Sequence, residues 1–152
     1  MGIVVSLDDV VEAMDLPNSA WQSYLNRGTG KIVTVTDEDE FALELENDGD
    51  LPEWQRKRLP EIREAVESDE CLQLPDRFDI HEWSIMERYC HQLGEAGQSE
   101  ELLDAIRGKG AFRLFRRTIE RFGLREDWDE YRESALRRIA KGWLEANGIA
   151  YR

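Results

Sequence analysis

The sequence has little of three residue types on which many sites and scaffolds depend. Its 152 residues include two cysteines, two histidines and four prolines. Cys71 and Cys90 show no CxxC spacing, and a cytoplasmic chain normally keeps such thiols reduced. His81 and His91 are ten residues apart, too far for the i, i+4 pair with which a helix binds a metal. No apolar run approaches the ~18 residues that a membrane span needs. We therefore predict no metal, no cofactor and no membrane association.

Recognisable catalytic and targeting patterns are also scarce. The opening residues, MGIVVSLDDVVEAM, lack a basic segment and soon reach two aspartates, which argues against a signal peptide and favours a cytoplasmic protein. The sequence GTGK at 28–31 invites a nucleotide-binding interpretation, but Lys31 precedes Ile32 and a predicted strand, so a hairpin turn fits better. No GxSxG elbow and no Cys–His motif of a known kind is found. We predict no catalytic residues, and an enzyme is the less favoured class.

Charge is plentiful but unevenly distributed. The chain has 33 acidic and 20 basic residues, a net charge of −13. Residues 1–106 hold 8 Lys/Arg against 26 Asp/Glu, a balance of −18, whereas residues 107–152 hold 12 against 7, a balance of +5. Such an excess of acid disfavours a general nucleic-acid binder, since phosphates are repelled at long range. A local basic patch remains compatible with short-range binding of an anion.

The pattern of apolar residues predicts a mainly α fold. We expect one domain over residues 1–152, with a small N-terminal β-hairpin at about 21–36 and a helical bundle at about 52–148. The hairpin strands are predicted at 21–26 and 31–36, around a glycine-rich turn. Ser6 and Thr36 are expected to begin short helices, and Phe41 and Leu45 to form the apolar side of the second.

Several further helix boundaries follow from turn and capping residues. Pro60 is expected to break the segment after Pro52 into two helical pieces, 52–59 and 60–68. Asp79 is predicted to cap a helix with Glu82 three residues on, and Ser99 to cap the next. Asn147-Gly148 is expected to end the last helix.

The stretch GKGAFRLFRRTIERFG at 108–123 is the most informative part of the chain. Its apolar residues at 112, 115, 119 and 122 have helical spacing and predict a core-facing stripe. The helix starts at a Gly-Lys-Gly turn without an acidic cap, so its first N–H groups can meet an anion. We predict that the basic face of this helix binds a phosphate-bearing ligand or an acidic protein segment. The candidate binding residues are Arg107, Lys109, Gly110, Arg113 and Arg117.

Alternatives remain open for these arginines. They can instead pair with the acids of residues 37–104 and have a structural role. A helix–turn–helix outline around Gly108–Gly110 also permits nucleic-acid association through phosphates. Arg132 projects within the apolar stripe of the last helix, so it is expected to need a carboxylate from the acidic half or an aromatic ring. A third hypothesis is an enzyme whose anionic substrate is held by Arg113 and Arg132.

A resemblance covers nearly the whole chain. The segments LLDAIRGKGAFRLFRRTIERFGLREDWDEYRESALRRIAKGWLEANGI, YLNRGTGKIVTVTDE and LPDRFDIHEWSIMERYC are similar, in the same order, to the bacterial group called uncharacterised protein family 0158. The resemblance implies a bacterial, cytosolic protein with no established activity, cofactor or catalytic residue. It also draws attention to Arg107, Gly108, Gly110, Phe112, Arg113, Trp128 and Trp143, which lie in the signature. The sequence as a whole therefore favours a non-enzymatic interaction or regulatory module.

Overall fold

A computed structural model describes residues 3–18, 20–45, 49 and 51–152. Its contacts divide into two compact units, which we call the first unit (residues 1–77 and 139–152) and the second unit (residues 78–138). Helices dominate and the strands are short, so the predicted mainly α class is confirmed. The expected single domain stays a prediction.

Among the described residues, the first unit contains a three-stranded sheet, a pair of parallel strands, three complete helices and the C-terminal part of the last helix. The predicted hairpin is confirmed as β2 (Gln22–Asn26) and β3 (Ile32–Val35). A further strand, β4 (Cys71–Gln73), pairs antiparallel with the other edge of β2, giving the order β3-β2-β4. Asn26 Oδ1 accepts hydrogen bonds from the N–H groups of Gly28 (2.8 Å) and Thr29 (3.1 Å), and Gly30 has φ +79°, which fixes the turn. The strands β1 and β5 pair in parallel. The elements are β1 (Val4–Val5), α1 (Leu7–Met14), β2 (Gln22–Asn26), β3 (Ile32–Val35), α2 (Asp37–Glu44), α3 (Glu53–Glu67), β4 (Cys71–Gln73) and β5 (Ala150–Tyr151).

The orientation of α2 corrects one prediction. Thr36 begins this helix as expected, with Thr36 Oγ1 accepting from Asp39 N (3.1 Å) and Asp39 Oδ2 accepting from Thr36 N (3.0 Å). Asp39 is buried and pairs with Arg58, whose Nη1 lies 3.1 Å from Asp39 Oδ1. Because Asp39 faces inward together with Ala42, the other side of the helix faces outward. Phe41 is therefore 64% exposed, and its prediction as the apolar side was wrong.

The predicted break at Pro60 was also wrong. Helix α3 is continuous from Glu53 to Glu67, with Pro60 inside it. A proline in a helix removes one N–H and disturbs the carbonyl four residues earlier, here that of Arg56. Pro60 is on the exposed side, whereas Leu59 and Ile62 are buried, so packing of the apolar face offsets the local cost.

The second unit is helical. A core cluster joins three successive helices and receives half-buried aromatic residues from the first part of the long last helix. The elements are α4 (Arg77–Ile80), α5 (Glu82–Gln92), α6 (Ala96–Ala105), α7 (Ala111–Arg121) and α8 (Arg125–Ala146), of which α4 and α8 extend across the division between the units. Gly148, at φ +67°, follows the end of α8 as predicted. The buried core residues are Met86, Tyr89, Cys90, Leu102, Ile106, Phe115 and Ile119.

Two predicted helix caps were wrong. Asp79 lies inside α4, and α5 begins after His81, which takes the left-handed conformation (φ 53°). Helix α6 begins three residues before Ser99, and Glu95 is its cap, accepting from Gly97 N (2.9 Å) and Gln98 N (2.8 Å). Ser99 instead donates its hydroxyl proton to the carbonyl of Cys90 (2.7 Å), tying α6 to α5. A tertiary hydrogen bond thus uses the side chain that the local pattern assigned to capping.

Candidate functional site

Helix α7 begins as the sequence predicted. Gly110 takes φ +73° at the N-cap position, and its carbonyl accepts from Leu114 N (2.9 Å). Among the described residues, no side chain caps this end. A glycine is favoured at this position because of its positive φ. Space is not the reason, since a Cβ there would contact no neighbouring side chain among the described residues.

The apolar side of α7 is narrower than predicted. Phe115 and Ile119 are buried, and the ring centroids of Phe115 and Trp128 are 4.8 Å apart in an edge contact. Phe122 is half-buried against the same core. Phe112 is 51% exposed, so its prediction as a core residue was wrong. At ~100° per residue, Phe112 falls at the margin of the stripe centred on Phe115, which places it at the boundary with solvent.

The charged side of α7 is largely exposed. Arg113, Arg116 and Arg117 are all exposed, as is Lys109 in the preceding turn. Within the part of the chain that the structure describes, none of these four side chains makes an ion pair. Their exposure is notable in a chain with 33 carboxylate side chains.

The neighbouring arginines behave differently. Arg121 at the end of α7 pairs with Glu101 on α6, and Arg107 Nη1 lies 3.1 Å from Asp104 Oδ1. The hypothesis that the basic residues neutralise the protein's own acids is therefore confirmed for these two. Exposed pairs of this kind contribute about 0–1 kcal/mol each, so Arg107 can still turn to another anion.

Arginine and aromatic side chains share one surface of α7. Phe112, Arg113, Arg116, Arg117 and Glu120 line a shallow depression of about 420 Å³. Leu114 is 41% exposed on the opposite margin of the helix. We call the surface formed by Phe112, Arg113, Leu114, Arg116, Arg117 and Glu120 the α7 face. Arg113 and Arg117 thus share the depression, whereas Arg107, Lys109 and Gly110 are not among its lining residues. The assignment of these five as a binding site stays a prediction.

Arg132 has the carboxylate partner that the sequence predicted. Its Nε lies 2.6 Å from Glu82 Oε1 and its Nη2 lies 3.2 Å from Glu82 Oε2, a two-pronged contact between α8 and α5. The two side chains are 26% and 22% exposed. Because a carboxylate of the chain already engages this guanidinium, the hypothesis of an anionic substrate held by Arg113 and Arg132 loses support.

A second concave region of this unit lies between α5 and α8. This cleft has a volume of about 240 Å³ and is lined by Arg88, Asp127 and Arg138 among others. Tyr89 donates its hydroxyl proton to Asp127 Oδ2 (2.7 Å), and burial raises the pKa of this tyrosine. Burial also raises the pKa of the Cys90 thiol to about 11, which makes it a poor nucleophile at neutral pH. Tyr89 and Cys90, whose pKa values are raised by burial, are thus core residues, and neither lines the cleft.

Metal-binding clusters and membrane-spanning helices are both absent from the described ranges, 3–18, 20–45, 49 and 51–152. Within these ranges, no group of three or more His, Cys, Asp or Glu side chains is placed to hold a metal ion. Among the same residues, no helix combines the length and apolar character required to cross a bilayer.

The comparisons with known proteins identify a family. Residues 2–152 match the model of an Uncharacterised protein family (UPF0158), so the chain belongs to that family, as the sequence resemblance indicated. No curated protein and no solved structure matches the chain. The family description states no activity, so a functional hypothesis has to be argued from the α7 face.

Proposed function

For this member of an uncharacterised family, we propose that the α7 face docks an acidic segment of a partner protein that also carries an aromatic or large aliphatic side chain. The protein is then an interaction or regulatory module. Arg113, Arg116 and Arg117 supply the charge, and Lys109 and Arg107 extend the basic surface towards the uncapped start of the helix. Anions are favoured there by the N–H groups and by the helix dipole.

The observation that carries the proposal is the isolation of these cations. Four exposed basic side chains, at positions 109, 113, 116 and 117, make no ion pair among the described residues, although the chain has an excess of acid. Arg107, Arg121 and Arg132 each have a carboxylate. A guanidinium fork suits carboxylates, because it can donate two parallel hydrogen bonds.

The apolar margins favour a protein partner over a nucleic acid. Phe112 and Leu114, 51% and 41% exposed, flank the arginines and can pack on apolar side chains of a partner. Glu120 lies in the same depression and repels phosphates and carboxylates alike, but a peptide can place a backbone N–H or a basic residue against it. The net charge of −13 repels a nucleic acid, with its charge on every phosphate, more strongly at long range than a short acidic segment with few charges.

Binding of a defined probe tests this proposal. The probe is a fluorescein-labelled peptide of glutamates with two phenylalanines, titrated with wild type and with Arg113→Gln/Arg117→Gln. Two charge-assisted contacts of roughly 0.5–1 kcal/mol each predict that the variant binds about 5- to 30-fold more weakly. The matched control is Arg56→Gln/Arg63→Gln, which removes the same charge from exposed positions of α3. Equal weakening by both variants would show a non-specific charge effect and would refute the proposal.

Nucleic-acid association is the second candidate. It is favoured by the succession of α6, the turn around Gly110 and α7, which has the outline of a helix-turn-helix. A single-stranded or duplex oligonucleotide replaces the peptide in the same titration. Tight binding that falls steeply with salt and depends on Arg113 and Arg117 would support this candidate instead. The peptide is expected to bind more tightly than the oligonucleotide and to show a shallower salt dependence.

A further inference from the structure

The chain itself carries a segment with the chemistry that the α7 face requires. Helix α2 has the sequence DEDEFALE, and its inward side is formed by Asp39 and Ala42. Phe41 is 64% exposed on the opposite side. At ~100° per residue, Asp37, Glu40 and Glu44 lie on the same outward side as Phe41.

This acidic side of α2 is open to a partner. Asp37, Glu38, Glu40 and Glu44 are exposed, and among the described residues they make no ion pair. The capping box and the Asp39–Arg58 pair fix the helix so that its aromatic ring cannot turn inward without breaking both. In the single chain, an aromatic side chain with carboxylates around it is thus exposed to solvent.

The α7 face has the opposite charges around the same kind of apolar group. Phe112 lines the depression together with three arginines, so an aromatic ring from a partner that enters it reaches both guanidinium and apolar atoms. Stacking of arginine on an aromatic ring adds about 0.5–2 kcal/mol to the charge pairing. Both surfaces are single exposed helix faces, so they can meet as two helices packed side by side.

From this complementarity we propose that α2 of one copy of the chain docks on the α7 face of a second copy, with Phe41 entering the depression beside Phe112. The inference rests on the proposed function, since it names the partner of the same face. A contact between two different surfaces of identical chains is heterologous. An outside partner with an acidic, aromatic segment then competes with α2, so self-association occludes the face until such a partner arrives.

The association is expected to be weak and sensitive to ionic strength. A single helix pair buries less than the ~1,200 Å² typical of stable complexes, which places it among transient interfaces. Two copies of net charge −13 repel each other at long range. Salt near the physiological value limits this repulsion to distances of about 8 Å. The carboxylates of α2 and the arginines of the α7 face interact at shorter distances, where screening is weaker. Association should therefore be strongest at intermediate salt.

Sedimentation velocity of the full chain over a wide concentration range tests the inference. Wild type is expected to show a concentration-dependent increase in mass. Phe41→Ser and, separately, Arg113→Glu/Arg117→Glu are each expected to lower the association constant about tenfold or more. Trp54→Ser is the matched control, because Trp54 is 58% exposed on α3, outside both surfaces. A wild type that stays monomeric, or an effect of Trp54→Ser equal to that of Phe41→Ser, would overturn the inference.

Mixing the two impaired variants gives the sharper test. Phe41→Ser retains an intact α7 face, and Arg113→Glu/Arg117→Glu retains an intact α2, so their mixture is expected to associate although each alone does not. Contacts of α2 with α2, or of α7 with α7, predict no such rescue. The glutamate–phenylalanine peptide should dissociate the wild-type assembly. If the peptide binds but the wild type is monomeric, the self-association is refuted and the proposed function stands; if neither is seen, both fail.

Discussion

Replacing Arg113 and Arg117 by glutamine should leave the fold intact. Neither side chain has an ion-pair partner within the described ranges, so no attractive pair is lost. The two arginines are four residues apart on α7, and such like-charged pairs cost about 0.2–0.5 kcal/mol. Arg113 also lies in the first turn, where the helix dipole disfavours a cation by about 0.3–1 kcal/mol. We therefore expect the free energy of unfolding to be unchanged, where salt screens both effects, or to rise by up to about 1.5 kcal/mol.

Arg132→Gln provides the contrast. This change removes a two-pronged contact and leaves Glu82, 22% exposed, without its guanidinium. Loss of charge-assisted hydrogen bonds at a partly buried site costs about 1–3 kcal/mol. At roughly 2–4 °C per kcal/mol for a chain of this length, Tm falls by about 2–12 °C for Arg132→Gln, whereas for the Arg113/Arg117 variant it stays unchanged or rises by up to about 6 °C.

Thermal unfolding followed by circular dichroism, at low and at high salt, separates these outcomes. Any rise in Tm of the Arg113→Gln/Arg117→Gln variant should be largest at low salt. At high salt it should vanish, because screening already removes the repulsion between the arginines in wild type. A variant that melts much lower than wild type, and more so at low salt, would refute the reasoning. The two arginines would then be tied to the protein's own acids in solution, and the α7 face would have a structural role.

Two further predictions concern the cores of the two units. Asp39→Ala removes the capping-box hydrogen bond to Thr36 N and the carboxylate that pairs with Arg58, and should lower the free energy of unfolding in urea by about 2–4 kcal/mol. Replacing exposed Glu40 by alanine should change this free energy by less than ~0.5 kcal/mol. Equal effects would contradict the role given to the buried carboxylate. Burial raises the pKa of Cys90 from 9.0 to about 11. The buried neutral thiol therefore contributes on the order of 1–3 kcal/mol to the free energy of unfolding below pH 9, and this contribution is lost as the pH rises towards 11. Urea unfolding from pH 8 to 11 should show a steeper fall for wild type than for Cys90→Ala, and parallel falls would disprove it.

Local patterns were sufficient to predict several parts of this structure. The hairpin, the uncapped glycine start of α7 and a carboxylate for Arg132 all followed from residues close in sequence or from the cost of burying a charge. Each depends on physics that acts within a few residues, or on a rule that any fold must obey.

Other features depend on tertiary packing and were not predictable in this way. Pro60 stays inside α3 because burial of Leu59 and Ile62 outweighs a local defect, and Phe41 faces solvent because Asp39 takes the inward position to meet Arg58. Which arginines stay exposed is likewise decided by where the carboxylates of the whole chain are placed. The position of the basic surface was therefore predictable from the sequence. Only the structure shows that its arginines make no ion pair with the described acids of the protein.

A nuclear magnetic resonance titration of the ¹⁵N-labelled chain with the glutamate–phenylalanine peptide tests the central claim most directly. The account predicts shifts concentrated in the backbone amides of α7 from Phe112 to Arg117 and in the Nε–H signals of Arg113, Arg116 and Arg117, with the paired Nε–H of Arg132 unchanged. Shifts that are absent at saturating peptide, or that centre on residues outside α7, would contradict it.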